Sequence, residues 1–428
     1  MGYAKNISSN FIAEIINAVI GFTISIITAR ALGPEGKGSI AYLLLVFGLI
    51  ASYGHFGINN ATTYFQKRTT YSEEEVFNNN ISYLIINFFI ISIIIFTLKY
   101  FGVILSDYDL SFVILGLLFV FFSYLLTSAA GFYIGNERIV KLNQYYITSL
   151  IIRLILITLL FIFRRVNVKL IFSAYVISFF LNSFFLLRNV GIGYRFKLSV
   201  GLLKKEFQYG LIIYFSALFI FLNYKVDQFM IKNMLGIGEL GIYSIGVSFA
   251  ESILLIPDSV NTALLGRLYN IDKFSPKRNF LTSMTIKYTF YICIVLITIG
   301  SFLTPLIPLI FGRAFQRAST VTIILFSGII FASIAKVSTP YFFSQGKPKV
   351  HLVISFLVVV LNVIFNFILI PVWGINGAAV ASSISYFFYG VTYIMWFVFK
   401  EKFSFKDFFV FTEVDKKLFY SILKRNKK

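Results

Sequence analysis

Charge is scarce in this chain, and acid scarcer than base. Only 13% of its 428 residues are charged, with 18 Asp and Glu against 38 Lys and Arg. A soluble domain carries about 25% charge and about 45–50% apolar residues. Here 58% is hydrophobic and the mean hydropathy is +0.83. A soluble fold of this composition would expose large apolar patches, so a bilayer is the better solvent. There is one cysteine, Cys293, within an apolar run. An intrachain disulfide is excluded, as is a cysteine-based metal cluster. No P-loop is present: "LGPEGKG" (Leu32–Gly38) lacks the Gly-Lys-Ser/Thr ending, so no ATP site is expected. No His, Asp and Glu cluster stands outside the apolar runs, apart from "SEEE" (Ser72–Glu75) and the pair Asp107 and Asp109. The former reads as a capping box, with Ser72 the cap and Glu75 reaching back. No catalytic residue, metal site or cofactor is expected.

What is present is a succession of apolar runs of spanning length, about 20 residues each. Twelve are read, at 8–30, 39–65, 79–101, 110–134, 144–163, 168–188, 208–231, 240–266, 281–304, 319–344, 350–371 and 376–399. The first is long and contains Glu14 and Asn17, which favours a retained span over a cleaved leader. With both ends cytoplasmic, about two-thirds of the Lys and Arg fall in cytoplasmic connections, as the positive-inside rule asks. Arg164, Arg165 and Lys169 oppose it. The net charge of +20 therefore does not call for a nucleic-acid partner. The basic tail Lys416–Lys428 reads equally as a segment on anionic lipid or as a solvated one.

"LGPEGKG" has a close copy, "LGIGELG" (Leu235–Gly241), 203 residues later. Each follows the first span of a six-span set. A second echo joins "YIGNERIV" (Tyr133–Val140) to "SQGKPKVH" (Ser344–His351) at an offset of 211. Six spans is an even number, so the sets share one orientation and form a parallel repeat about an axis along the membrane normal. The expected fold is all-α and polytopic. Its parts are a six-helix half over 1–190, a cytoplasmic connector over 191–207, a second half over 208–399 and a basic tail over 400–428. A substrate site is expected where the halves meet.

The stretches "TARALGPEGKGSIAYLLLVFGLIASYGHFGINNATTYF", "VDQFMIKNMLGIGELGIYSIGVSFAESI" and "PVWGINGAAVASSIS" carry a family resemblance. The chain resembles the bacterial polysaccharide (O-antigen) flippases of the multidrug, oligosaccharidyl-lipid and polysaccharide exporter superfamily. The resemblance implies a non-enzymatic, multi-pass protein of the bacterial cytoplasmic membrane. It implies alternating access and translocation of a lipid-diphosphate-linked oligosaccharide for O-antigen, capsule or a related glycan. Membrane lipids, a coupling H+ or Na+, and the polymerase and chain-length proteins of the same pathway are the candidate partners. An ion-coupled multidrug antiporter of the same fold stays open as the alternative.

An ionisable group deep in a span costs upward of ~2.5 kcal/mol and is a functional candidate by default. Lys225, Lys336 and Arg153 are candidate diphosphate ligands, since a cation in a low-dielectric cavity attracts a diphosphate. Asp227, Glu251, Asp258, Glu14 and His55 are candidate counter-ions or coupling-ion ligands. For the charged groups the competing reading is a buried pair or polar glue between helices, and for His55 a histidine that is simply hydrogen-bonded. Under the 203 offset Gly54–His55 lies on Pro257–Asp258, each a helix-weakening residue beside a titratable one. Pro340 is expected to kink its helix four residues after Lys336. Asn362 and Asn366 read as interhelical glue, and Lys287 as a side chain that snorkels to the surface.

Overall fold

In a bilayer every backbone N–H and C=O needs an internal partner, so an apolar chain of this kind must be helical. The computed structural model describes residues 2–58, 62, 65, 71–136, 138–272, 275–413 and 415, and among them there is no strand. The helices are α1 (Gly2–Tyr53), α2 (Glu73–Tyr100), α3 (Leu110–Gly135), α4 (Ile139–Ile162), α5 (Val168–Arg188), α6 (Val200–Leu235) and α7 (Ile237–Glu251). A 3-10 turn, Ser252–Leu254, leads into α8 (Leu255–Tyr269). There follow α9 (Pro276–Leu303), α10 (Ile307–Phe311), α11 (Gln316–Ser344), α12 (Pro348–Phe399) and α13 (Phe405–Phe409). Nine helical segments among the described residues are long and apolar enough to cross a membrane. The protein is an all-α, multi-pass membrane protein.

Local sequence explains the boundaries. Ser72 accepts the Glu75 N–H at 3.1 Å, and Glu75 accepts the Ser72 N–H at 3.2 Å, which is the capping box that starts α2. Asn167 caps α5 through the Leu170 N–H at 2.8 Å. Two helices have an internal break. α1 consists of two limbs that meet at Gly33 (φ 66°, ψ −170°), and α12 of two that meet at Gly374 (φ 58°, ψ −137°). Only glycine adopts such angles without strain. Gly236, 203 residues after Gly33, repeats the conformation with φ 100° and ψ 174° between α6 and α7. The first sequence echo is therefore also an echo of backbone geometry.

The helices pack as two groups. α1, α3, α4 and α5 contact one another, as do α6, α7, α8, α9, α11 and α12. Between the groups the largest contact is α1 against α7, which carry the two copies of the glycine turn. Two polar links accompany it at the same end of the molecule. Arg30 donates to the carbonyls of Ile310 and Leu309, both at 2.6 Å, where a cation suits the last turn of α10. Lys232 pairs with Asp107 at 3.1 Å.

At the opposite end the connector runs extended between α5 and α6 and is stitched to the first turns of α2. Asn78 Oδ1 accepts the Arg195 N–H at 2.8 Å, Ser82 Oγ the Lys197 N–H at 3.0 Å, and Asn79 Oδ1 the Ser199 N–H at 2.8 Å. Alternate residues of an extended segment point the same way, so one polar helix face satisfies every second amide.

Beyond α12 the chain folds back. Phe403 and Phe408 are buried against Phe397, and α13 packs on α9. Lys287, expected to snorkel, is instead buried and pairs with Asp415 at 2.9 Å. The returning segment brings a carboxylate to it, which removes the need to reach water. The basic tail Lys416–Lys428 lies outside the described residues.

Candidate functional site

A cavity of about 370 Å³ lies between the end of α1, the middle of α6, the α7–α8 junction and α11. Its lining includes Tyr53, Phe221, Tyr224, Lys225, Glu251, Asp258 and Lys336. Lys225 Nζ is 2.9 and 3.3 Å from the two Glu251 oxygens. Lys336 Nζ is 2.6 and 2.8 Å from those of Asp258 and stands 5.3 Å over the Tyr224 ring. Glu251 and Asp258 are seven residues apart, two helical turns, and so share a face. The shared face spans the 3-10 turn that separates α7 from α8.

These pairs are neither buried nor free. The side-chain exposures are 27% and 26% for Lys225 and Glu251, and 20% and 47% for Lys336 and Asp258. An ion pair that water reaches is worth about 0–1 kcal/mol, whereas a fully buried one resists separation far more. The cavity lining thus holds two lysines and two carboxylates, paired one to one.

Lys336 is positioned by a backbone defect. Pro340 has no N–H, so the carbonyl four residues earlier, that of Lys336, loses its helical donor. Asn261 on α8 supplies one, with Nδ2 2.6 Å from the Lys336 oxygen. Three residues before Asn261 on the same helix, Asp258 takes the Lys336 ammonium. Helix α11 continues through Pro340 to Ser344.

The remaining candidates fall elsewhere. Asp227 is buried and accepts from the hydroxyls of Tyr243 and Ser382 and from the Gln228 N–H. It ties α6 to α7 and α12. One turn earlier, Asn223 accepts from Ser385 Oγ at 2.6 Å and from Asn362 Nδ2, whose amide also reaches the Asn223 carbonyl at 2.7 Å. Asn366 donates in turn to the Asn362 carbonyl at 2.9 Å. Asn362 thus glues α12 to α6, while Asn366, expected to do the same, bonds back to Asn362 on its own helix; the partner, Asn223, was not singled out in the sequence because a lone Asn in a span carries no signal of its own. Glu14 is exposed and accepts from Ser259 Oγ at 3.3 Å, beside Asp258 and across the two helix groups. Arg153 is absent from this cavity's lining. Its Nε donates to Ser178 at 2.9 Å, and its guanidinium lies 4.3 Å from the Tyr175 ring, so it joins α4 to α5.

His55 is buried where α1 gives way to turns, with Phe56 (φ 53°) and Gly57 (φ 80°) following. Its Nδ1 accepts the Gly57 N–H at 3.1 Å. It lines a second cavity, of about 400 Å³, which shares Tyr53 and Ala217 with the ion-pair cavity. Two buried or part-buried cations escaped the sequence reading, Arg278, which donates to Ser344 Oγ, and Lys37. Lys37, within the first glycine turn, donates to Ser25 Oγ at 2.8 Å inside α1.

Comparison with known proteins agrees with this architecture. A family profile described as "Polysaccharide biosynthesis protein" matches residues 3–266, and one described as "Lipid II flippase MurJ" matches residues 248–423. The capsular polysaccharide biosynthesis protein CapF of Staphylococcus aureus is 24% identical, over 91% of this chain and 98% of its own length. Among solved structures, lipid II flippase MurJ in an inward closed conformation superposes with a TM-score of 0.73 at 16% identity, covering 93% of this chain and 88% of that one. An inward-facing multidrug resistance MATE family transporter of the MOP superfamily gives 0.73 at 14% identity, covering 89% and 93%. The two structures share the fold.

Proposed function

The chain belongs to the polysaccharide biosynthesis protein family, and on that premise we propose that it is a flippase for a lipid-diphosphate-linked oligosaccharide. One observation carries the reading: two lysines, each held by a part-exposed carboxylate, face one cavity between the helix groups. A diphosphate replaces the carboxylates on Lys225 and Lys336 through charge-assisted hydrogen bonds. The released Glu251 and Asp258 are then free to take a coupling proton or sodium ion, with Glu14 beside them. Asp227 and His55, absent from the lining of that cavity, stand apart from the exchange. Arg153 is read as a helix tie. The role is that of a carrier, with no bond made or broken in the cargo.

The two limbs of α1, the two limbs of α12 and helix α6 bring the reading to twelve spans in two six-helix halves. Gly33 and Gly236 stand at equivalent turns, which supports a parallel repeat. The positive-inside bias supports a reading with both termini on the cytoplasmic side of a bacterial inner membrane, the lipid-linked glycan being loaded from that side. Polymerase and chain-length proteins acting on the same glycan are the candidate protein partners. The antiporter reading needs an acidic cavity for a cationic drug; two lysines there argue against it.

The test is to delete the gene and count lipid-linked repeat units on each membrane face, then repeat with Lys225→Ala. Accumulation on the cytoplasmic face with loss of surface glycan is expected for both. Normal surface glycan with altered resistance to cationic drugs would overturn the reading, given no second flippase in the host.

A further inference from the structure

The second cavity is unlike the first. Among its lining residues are Tyr53, His55, Phe119, Ser123, Thr127 and Tyr214, and none of the lining residues is Lys, Arg, Asp or Glu. At about 400 Å³ it falls within the range of about 300–1,000 Å³ typical of small-molecule sites. Resting on the flippase reading, we propose that this cavity is a sugar subsite, holding the glycan residue nearest the diphosphate while Lys225 and Lys336 hold the phosphates.

Three features argue for it. The first is adjacency. In a lipid-diphosphate-linked glycan the first sugar is bonded directly to phosphate, so its pocket must abut the phosphate pocket. Tyr53 and Ala217 are common walls of the two cavities, joined by the Tyr53 hydroxyl donating to the Ala217 carbonyl at 3.1 Å. The second is the aromatic row. Tyr214, Tyr53 and Phe221 follow one another with ring centroids 6.1 and 5.1 Å apart, leading from one cavity into the other. The apolar C–H face of a pyranose packs on such rings, as apolar surface does on aromatic side chains generally.

The third is the hydrogen-bonding inventory. Ser123 donates to the Phe119 carbonyl at 2.7 Å and Thr127 to the Ser123 carbonyl at 2.8 Å, which leaves both hydroxyl oxygens as acceptors. With Nδ1 of His55 accepting from Gly57, the hydrogen of the neutral ring is on Nε2. Donors and acceptors without net charge, on an aromatic frame, suit a neutral polyol and offer nothing to a phosphate. The apolar remainder excludes a second anion, so the two cavities sort the two parts of one headgroup.

The experiment compares two ligands on the purified full chain in lipid nanodiscs. One is bare undecaprenyl diphosphate; the other is the glycosylated lipid isolated from the deletion strain. The readout is the ratio of their affinities. Ser123→Ala with Thr127→Val, and separately Tyr214→Leu, are expected to lower affinity for the glycosylated lipid about tenfold, the loss of about one or two hydrogen bonds, and to leave the bare lipid unchanged. An unchanged ratio in both variants would overturn the sugar subsite, including the case where both affinities fall together through misfolding. Failure of the flippase reading looks different: Lys225→Ala with Lys336→Ala would then leave both affinities as they were.

Discussion

Gly38 and Gly241 bring two helices into backbone contact as equivalent partners. A methyl group on Gly38 would lie 1.8 Å from the Ile237 carbonyl oxygen, and one on Gly241 would lie 2.0 Å from the Pro34 carbonyl oxygen. Gly241 follows Gly38 by 203 residues, and Ile237 follows Pro34 by the same interval. Each copy of the glycine turn therefore meets the other in the same way, as two objects related by a two-fold axis do.

From this contact follows the first prediction. Gly38→Ala and Gly241→Ala should destabilise the purified protein to similar extents, by about 1–3 kcal/mol, the usual cost of overpacking. Thermal unfolding in detergent measures it. Gly21→Ala is the control, because nothing lies within 4 Å of a Cβ there. Unequal losses at Gly38 and Gly241 would contradict the symmetric contact.

The two carboxylates of the cavity compete with the cargo for the lysines. Glu251→Gln should therefore raise affinity for undecaprenyl diphosphate, since Lys225 no longer has an anion to give up. A part-exposed pair of this kind is worth about 1 kcal/mol, so the gain should be about fivefold. Transport should slow, because release then has no carboxylate to recapture the cation. Equilibrium binding and vesicle translocation, measured on the same variant, should move in opposite directions.

Much of this arrangement was legible in the sequence. The glycine echoes marked the turns, the Ser72–Glu75 pattern marked a helix start, and intramembrane charge singled out Lys225, Glu251, Asp258 and Lys336. What could not be read was helix rotation. Arg153 and Lys336 look alike in sequence, but one packs on Tyr175 and the other enters the cavity. Spans that are apolar on every side carry no periodicity to show which face is buried. Long-range partners were equally hidden. Lys287 finds Asp415 only because Phe403 and Phe408 fold the chain back after the last long helix.

That returning segment has a pH signature. Burial disfavours the Asp415 carboxylate, but the Thr412 N–H, Lys287, the Thr412 hydroxyl and Tyr288 outweigh it and push its pKa down to about 2 from 3.8. A depressed carboxylate stabilises the fold above its unfolded value and loses that contribution as pH falls through the folded one. Protection of the Thr412 amide from hydrogen exchange, corrected for the intrinsic pH dependence of exchange, should thus be constant above about pH 4 and fall between about pH 4 and 2. Asp415→Asn should abolish the pH dependence and leave protection low throughout. Retained protection in the Asn variant would show that the aromatic contacts alone hold the segment.

The contact between Asn261 and the Lys336 carbonyl admits a cleaner test, because its cause is a missing proton. Asn261→Leu leaves that part-buried carbonyl with no protein donor, at a cost of about 1 kcal/mol, the low end for an unsatisfied acceptor. Pro340→Ala alone restores the helical N–H, which then competes with Asn261 for the same oxygen. Combining the two substitutions gives the carbonyl a helical donor and removes the competitor, so the double variant should be more stable than Asn261→Leu by most of that penalty. Stability and anion binding should then separate. With Asn261 gone, nothing on α8 but Asp258 orients Lys336, and the double variant should fold well yet bind undecaprenyl diphosphate more weakly than the parent chain. A double variant as unstable as Asn261→Leu would show that the amide acts through packing. One that is stable and binds normally would show that Asp258 alone suffices to place the lysine.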